Sequence, residues 1–395
     1  MKTVENITGG RSFHSYKYNF DSIKTPSPNY DDNPENNVSW KFTAETKPFK
    51  GYKDLKKKAI LIKNSRPEPE IKFFLDGSRH VYHVDDISYN GRIFPVIAGQ
   101  VGVGCCRREN KKIIPEYPMI NHLVLSLPDK CDYEGNKGEH LEAFLSDLKN
   151  KINNCVALKK LNNKINNDKL KVSFESIVIY KTDKTQDEEF ENRGIATIQD
   201  YMIDAEKGLV DALAKKGKFS QSAYLIKDGS LEYIPMATGN YRNIKDFKRS
   251  YQWVIGVSKS FNPESCRDSD NKPNADYIIN LKESHRTPVA LFKNERIKDL
   301  EFAVWYLRLR PIERTKTPFD GVIKIEKILV SDTEVRNKQL DSETVDMISA
   351  TLLNERNPTC YGTDLRYANH LYPVYLTERF IKSKFINDEM FMKIF

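Results

Sequence analysis

The sequence predicts an α/β or α+β protein: a mixed sheet with helices inserted or appended. Two patterns predict it. Short apolar runs rich in Val, Ile, Phe and Tyr recur from about residue 70 onward, and stretches with helical periodicity lie between and after them. The length agrees, since 395 residues bury a full core as one large domain or two.

Residues 1–65 differ in composition from the rest. They carry Ser-Pro, Asn-Pro and Asn-Asn pairs and few aliphatic residues before Ala59-Ile60-Leu61-Ile62. They read as an N-terminal extension, with loop or disorder over residues 25–37, and as a possible partner-binding arm. The main domain runs over residues 66–395. Residues 71–75 and 80–84 predict two strands, and residues 93–106 a long third, with Asn90-Gly91 as the turn before it. Residues 107–170 read as an insertion with one strand (123–127), one amphipathic helix (139–152) and an Asn/Lys-rich tail. A strand over 172–180 and a helix over 196–215 follow. Further strands are expected at 224–228, 253–258, 277–281, 289–292, 302–309 and 322–330. Helices over 342–354 and 372–385 close the chain.

Composition excludes several classes. No apolar run approaches the length of a membrane span. The N-terminus, Met1-Lys2-Thr3-Val4-Glu5-Asn6, lacks a secretory signature, so the chain reads as cytoplasmic. The 6 cysteines include no C-x-x-C pair, which favours buried reduced thiols over zinc or disulfides. The net charge of +8 suits a polyanion partner, or reflects no more than an Asn- and Lys-rich composition.

The phrase Asp-Gly-Ser occurs twice, each time after an apolar run: Phe73-Phe74-Leu75-Asp76-Gly77-Ser78 and Tyr224-Leu225-Ile226-Lys227-Asp228-Gly229-Ser230-Leu231. A strand that stops on an acid and glycine leaves the carboxylate at the sheet's edge. Two such acids on neighbouring strands form a hard oxygen site suited to Mg²⁺ or Mn²⁺. Between them, Ile198, Met202, Leu209 and Leu213 form one helical stripe, and Glu206 lies on it. A carboxylate there is costly unless paired or metal-bound. Asp204, Lys207 and Asp211 avoid the stripe and read as surface charges. Asp76, Glu206 and Asp228 would hold two ions about 4 Å apart for phosphodiester hydrolysis.

Those motifs, followed by the strand Val254-Ile255-Gly256-Val257-Ser258-Lys259 and by Tyr372-Pro373-Val374-Tyr375-Leu376 opening a late helix, resemble the NurA nuclease family. The resemblance covers scattered motifs over about residues 70–385. It implies an RNase H-like, PIWI-related fold and a Mn²⁺- or Mg²⁺-dependent DNA nuclease. It also implies a homodimer that works with a HerA-like hexameric, DNA-translocating ATPase, in DNA end processing or anti-phage defence. By position it makes Asp76, Glu206 and Asp228 metal ligands and has Lys259 lie beside the scissile phosphate or stabilise the site. The family's late acid or histidine aligns with Phe380, so the fourth ligand departs from the pattern; His370 is favoured over Asp364 and Glu378. An inactive DNA-binding or assembly subunit of the same ATPase complex is the alternative, and a guide-dependent, PIWI-like nuclease a third.

No G-x-x-x-x-G-K-[ST] motif is present, and Gly99, Gly102 and Gly104 read as sheet packing. His80 and His83 fall on opposite faces of a strand and do not share a metal. Arg79 is placed to meet a phosphate, or is an ordinary surface arginine. Arg107 and Arg108, and Arg308 and Arg310 beyond Phe302, Trp305 and Tyr306, suit a DNA groove with stacking. Trp305 reads rather as core.

Overall fold

The computed structural model describes residues 38–65, 69–89, 91–131, 139–164, 172–183, 189–232, 244–293, 300–358, 367–392 and 394. Residues 1–37 of the N-terminal extension, Asn90 and Asp364 lie outside them.

In chain order the elements are β1 (Val38–Ser39), β2 (Lys53–Asp54), α1 (Lys56–Ser65), β3 (Ile71–Tyr89), β4 (Arg92–Glu109) and β5 (Lys112–Pro128). Then come α2 (Glu139–Asn153), α3 (Val156–Lys164), β6 (Phe174–Tyr180), α4 (Phe190–Lys215), β7 (Tyr224–Asp228), α5 (Ile244–Ser250) and β8 (Val254–Ser258). The chain continues with β9 (Cys266–Arg267), α6 (Ala275–Ile279), β10 (His285–Arg286), β11 (Ala290–Phe292), β12 (Phe302–Arg308) and β13 (Val322–Ile328). It ends with α7 (Asp332–Asn337), α8 (Ser342–Asn354), α9 (Tyr372–Lys382) and α10 (Asp388–Met392). This is a mixed α/β architecture.

The chain divides into two compact units. One comprises Met1–Phe74, Cys106–Ile114 and Val210–Leu376; the other Leu75–Cys105, Pro115–Leu209 and Thr377–Phe395. The division cuts through β3, β4, β5, α4 and α9 instead of falling at residue 65.

In the first unit the strand order is β2-β10-β12-β13-β8-β7-β3, with β11 on β12. The β7/β8 pair is parallel (Leu225 opposite Val254), and β8/β13 and β12/β13 are antiparallel. β12 and β13 are buried along their whole length, which suits the near-continuous apolar run of β12, while β13 carries Lys324, Glu326 and Lys327 inside. Trp305 is core, as expected, and its Nε1 donates to Ser349 Oγ at 2.9 Å. α8 has its expected bounds; Asp341 caps it by accepting from the Thr344 N–H at 2.9 Å. Residues 277–281, expected as a strand, overlap α6 instead.

The N-terminal extension corrects an expectation. Residues 38–65 are built into this unit: Ala44, Leu55 and Ala59 join its apolar core. Glu45, fully buried, accepts from Arg286 Nη2 at 2.8 Å, the Val289 N–H at 3.0 Å and Ser342 Oγ at 3.1 Å. Arg286 also pairs with Asp346 at 2.8 Å. A buried ion pair satisfied on every side fixes where this segment docks.

In the second unit the order is β3-β4-β5-β6. β4 and β5 are joined at Asn110 and Lys111, both with positive φ (49° and 63°), as a two-residue hairpin turn requires. Residues 107–128 therefore continue the meander and are not part of an insertion. Gly99, Gly102 and Gly104 are packing glycines, as read. A Cβ at 99 would lie 3.0 Å from Ile198 Cγ2 of α4, and one at 104 would lie 3.0 Å from Ile381 Cγ1 of α9. Cys105 and Cys106 are buried thiols. No helix among the described residues is long and apolar enough to cross a membrane.

Candidate functional site

The first Asp-Gly-Ser does not end a strand. Residues 71–89 form one continuous strand, β3, and the motif lies within it. Asp76 and Ser78 are buried. Gly77 is required for space: a Cβ there would overlap Glu206 Oε1 and would lie 3.1 Å from Glu206 Cδ and 3.2 Å from Met202 Cγ. α4 thus lays Glu206 directly on the backbone of β3, one residue from Asp76.

The stripe of α4 is buried as its period requires, with Ile198, Met202, Glu206, Leu209 and Leu213 all inside. Glu206 keeps only 3% exposure, so its carboxylate is held in a desolvated position. Lys207 and Asp211 correct the surface reading, because both are buried too. Lys207 pairs with Asp204 at 2.8 Å, and Asp211 accepts from Ser250 Oγ at 3.1 Å. Side chains alternate faces along a strand. Glu206 therefore covers the face of β3 that Gly77 presents.

The second Asp-Gly-Ser does end a strand. β7 stops at Asp228, and Gly229 takes φ +87°, a conformation open to glycine and strained for other residues. The Gly229 N–H donates to Val257 O at 2.8 Å. Glu326 on β13 fixes the turn by accepting from Ser230 Oγ at 2.9 Å and the Leu231 N–H at 2.7 Å. Its other oxygen meets Lys324 Nζ at 3.0 Å, and Lys324 also meets Glu232 at 3.1 Å. Burial pushes the Glu326 carboxyl up, but Lys324, the Leu231 N–H and Ser230 outweigh it and hold it below the usual range.

Asp228 Oδ2 pairs with Lys259 Nζ at 2.8 Å. Burial works to raise this carboxyl; the Lys259 charge and hydrogen bond, then the charges of Lys227 and His370, overcome it and hold it below the carboxylate range. Asn369 secures the lysine: its Nδ2 donates to Lys259 O and to Val322 O, and its Oδ1 accepts from the Gly321 N–H. His370 follows it, 1% exposed, with its ring 5.8 Å from that of Tyr375. In the first unit, then, Asp228, Lys259 and His370 belong to one charged cluster. In the second, Asp76 and Glu206 are neighbours. Among the described residues no three His, Cys, Asp or Glu side chains are gathered to hold a metal ion.

Glu326, Lys324 and Asn369 escaped the sequence reading. The signal was there for two of them: Lys324 and Glu326 are opposite charges two apart in an apolar strand, so they share a face. Glu378 pairs with Lys382 at 2.6 Å, and Lys384 lies 5.3 Å from the centre of the Phe380 ring.

The arginines part ways. Arg308 corrects the DNA-groove expectation. It is 1% exposed and donates to the carbonyls of Leu281, Ile278, Ile279, Pro318 and Asp320, which ties α6 and the 318–320 turn to β12. Arg108 is also inward, donating to Glu355 at 2.5 Å and to Ile71 O, with its guanidinium 5.3 Å from the centre of the Phe74 ring. Arg107 pairs with Glu109 at 2.9 Å at the surface. Arg79 donates to Gln199 of α4. Arg310 is half-buried at the wall of a cleft.

A scan of protein-family models finds no match to this chain, and a search of curated proteins finds none either.

Proposed function

We propose that the chain is a DNA nuclease that hydrolyses phosphodiester bonds with Mn²⁺ or Mg²⁺. The observation that carries this reading is Glu206, a carboxylate buried in an apolar helical stripe and laid on Gly77 beside Asp76. The duplicated Asp-Gly-Ser motif and the resemblance to NurA nucleases support it. So does the donor chemistry, since carboxylate oxygens are the ligands Mg²⁺ and Mn²⁺ prefer. The reading includes a homodimer working with a HerA-like hexameric ATPase on DNA.

By the resemblance, Asp76, Glu206 and Asp228, with His370 as a further donor, are the residues assigned to the metal. Bound there, it supplies an activated water and offsets charge on the phosphodiester. Lys259 keeps Asp228 ionised and adds a cation for a phosphate oxygen. Replacing Asp76 or Asp228 with alanine is expected to abolish Mn²⁺-dependent cleavage of linear DNA while near-ultraviolet circular dichroism stays native. Both variants cutting at the wild-type rate would remove these residues from the active site.

A second reading is a nuclease-like subunit without activity that binds DNA or assembles the ATPase complex. The Asp228–Lys259 ion pair favours it, because a lysine already neutralises the carboxylate. Cleavage by the protein, alone or with the ATPase, that is lost on adding EDTA eliminates this reading.

A further inference from the structure

We propose that a cleft in the first unit, where Lys63 of α1, Arg310 and Arg314 after β12, and Arg356 after α8 converge, is a binding site for a phosphate group. The cleft encloses about 370 Å³. That is at the small end of ligand sites, room for a phosphate and a modest group attached to it. Leu353 and Pro311 supply apolar wall for that group.

Charge points to an anion. Among the described residues, Glu283 is the one carboxylate lining the cleft, against four cations. It is already engaged by Arg356 Nη1 at 2.8 Å. Two guanidinium groups are also fixed in place. Arg310 donates through Nη2 to Asn357 O, and its guanidinium lies 5.6 Å from the centre of the Tyr367 ring. Arg356 donates to Leu309 O at 2.8 Å. Backbone carbonyls thus hold like charges close together, and the ligand meets groups that need little ordering. Burial, then the nearby Arg356, lowers the Arg310 pKa, with Tyr367 and Glu283 working the other way. Arg314 and Lys63 stand exposed at the rim.

A phosphate suits this set better than a carboxylate. It carries up to two charges and three acceptor oxygens, enough to meet two guanidinium forks at once. The site is argued from the cleft alone and does not depend on the nuclease reading.

Isothermal titration of the full chain with inorganic phosphate, a nucleoside 5′-monophosphate and the same nucleoside without phosphate tests it. Binding of either phosphate compound is expected, and the ratio of their affinities tells a free anion from a nucleotide. The double variant Lys63→Glu/Arg314→Glu, at exposed positions with melting checked as native, is expected to lose about tenfold or more in affinity. The milder Arg310→Lys is expected to weaken binding in the same direction. Absence of binding by the wild-type chain would overturn the proposal. So would a nucleoside that binds as tightly as its monophosphate, or affinity unchanged in both variants.

Discussion

The two Asp-Gly-Ser copies use the same three residues to solve different problems. In β7 the strand stops at Asp228 and Gly229 turns the chain at φ +87°. A Cβ there would meet only Lys227 Nζ, at 3.3 Å, so backbone angle is the constraint. In β3 the strand runs straight through, and Gly77 has ordinary strand backbone. Its constraint is space, because Glu206 occupies the place of a side chain. The acids differ too. Asp228 is held ionised by Lys259, whereas Asp76 sits one residue from a second carboxylate. A shared motif therefore marks two local environments, and chemistry follows the environment.

The largest effect on this contrast is expected from Lys259→Met. It leaves the Asp228 carboxylate without its ammonium, at a cost of about 3 kcal/mol in urea unfolding. A loss within about 0.5 kcal/mol, the range of an ordinary surface change, would show that the pair does not stabilise the cluster.

Next come the glycines. Gly77→Ala is expected to cost about 1–3 kcal/mol through overpacking, and Gly229→Ala about 1–2 kcal/mol through its positive φ. Asparagine separates the causes, since it tolerates positive φ but is larger than alanine. Gly229→Asn should recover stability relative to Gly229→Ala, and Gly77→Asn should lose more than Gly77→Ala. Equal behaviour of the two asparagine variants would erase the distinction.

The smallest effect is one of pH. The Glu326 carboxyl is held below its unfolded value, near 4.3. Its contribution is present above that value and fades as pH falls through the folded one. Glu326→Gln should therefore be less stable than the wild type at neutral pH, and the gap should narrow below about pH 4. A gap that stays constant across the acid range would mean that Glu326 does not stabilise the turn as an anion.

What the sequence disclosed follows physical locality. The stripe of α4 was legible because helical period is a local signal, and Glu206 stood out against it. The bounds of α8 matched the expected 342–354, and the structure adds the Asp341 cap that sets its start. The continuity of β3 was hidden, since glycine inside an apolar run reads as a break while the residue demanding it, Glu206, lies far along the chain. The docking of residues 38–65 was hidden for the same reason: Glu45 and Arg286 meet across the sequence with no local trace of the pairing. Arg308 and Arg310 read as one basic cluster, yet one is sealed in backbone carbonyls and the other lines a cleft. Arg308 closes β12 and Arg310 lies just beyond it, a difference that charge counting does not see.

The reading that Glu206 belongs to a metal-dependent active site is tested most directly by Glu206→Gln, which keeps shape and removes charge. With Mn²⁺ and linear DNA, the wild-type chain should cut and this variant should not, with near-ultraviolet circular dichroism showing that the fold is kept. Cleavage by Glu206→Gln at the wild-type rate would make Glu206 a structural residue and take away the main support for the nuclease reading.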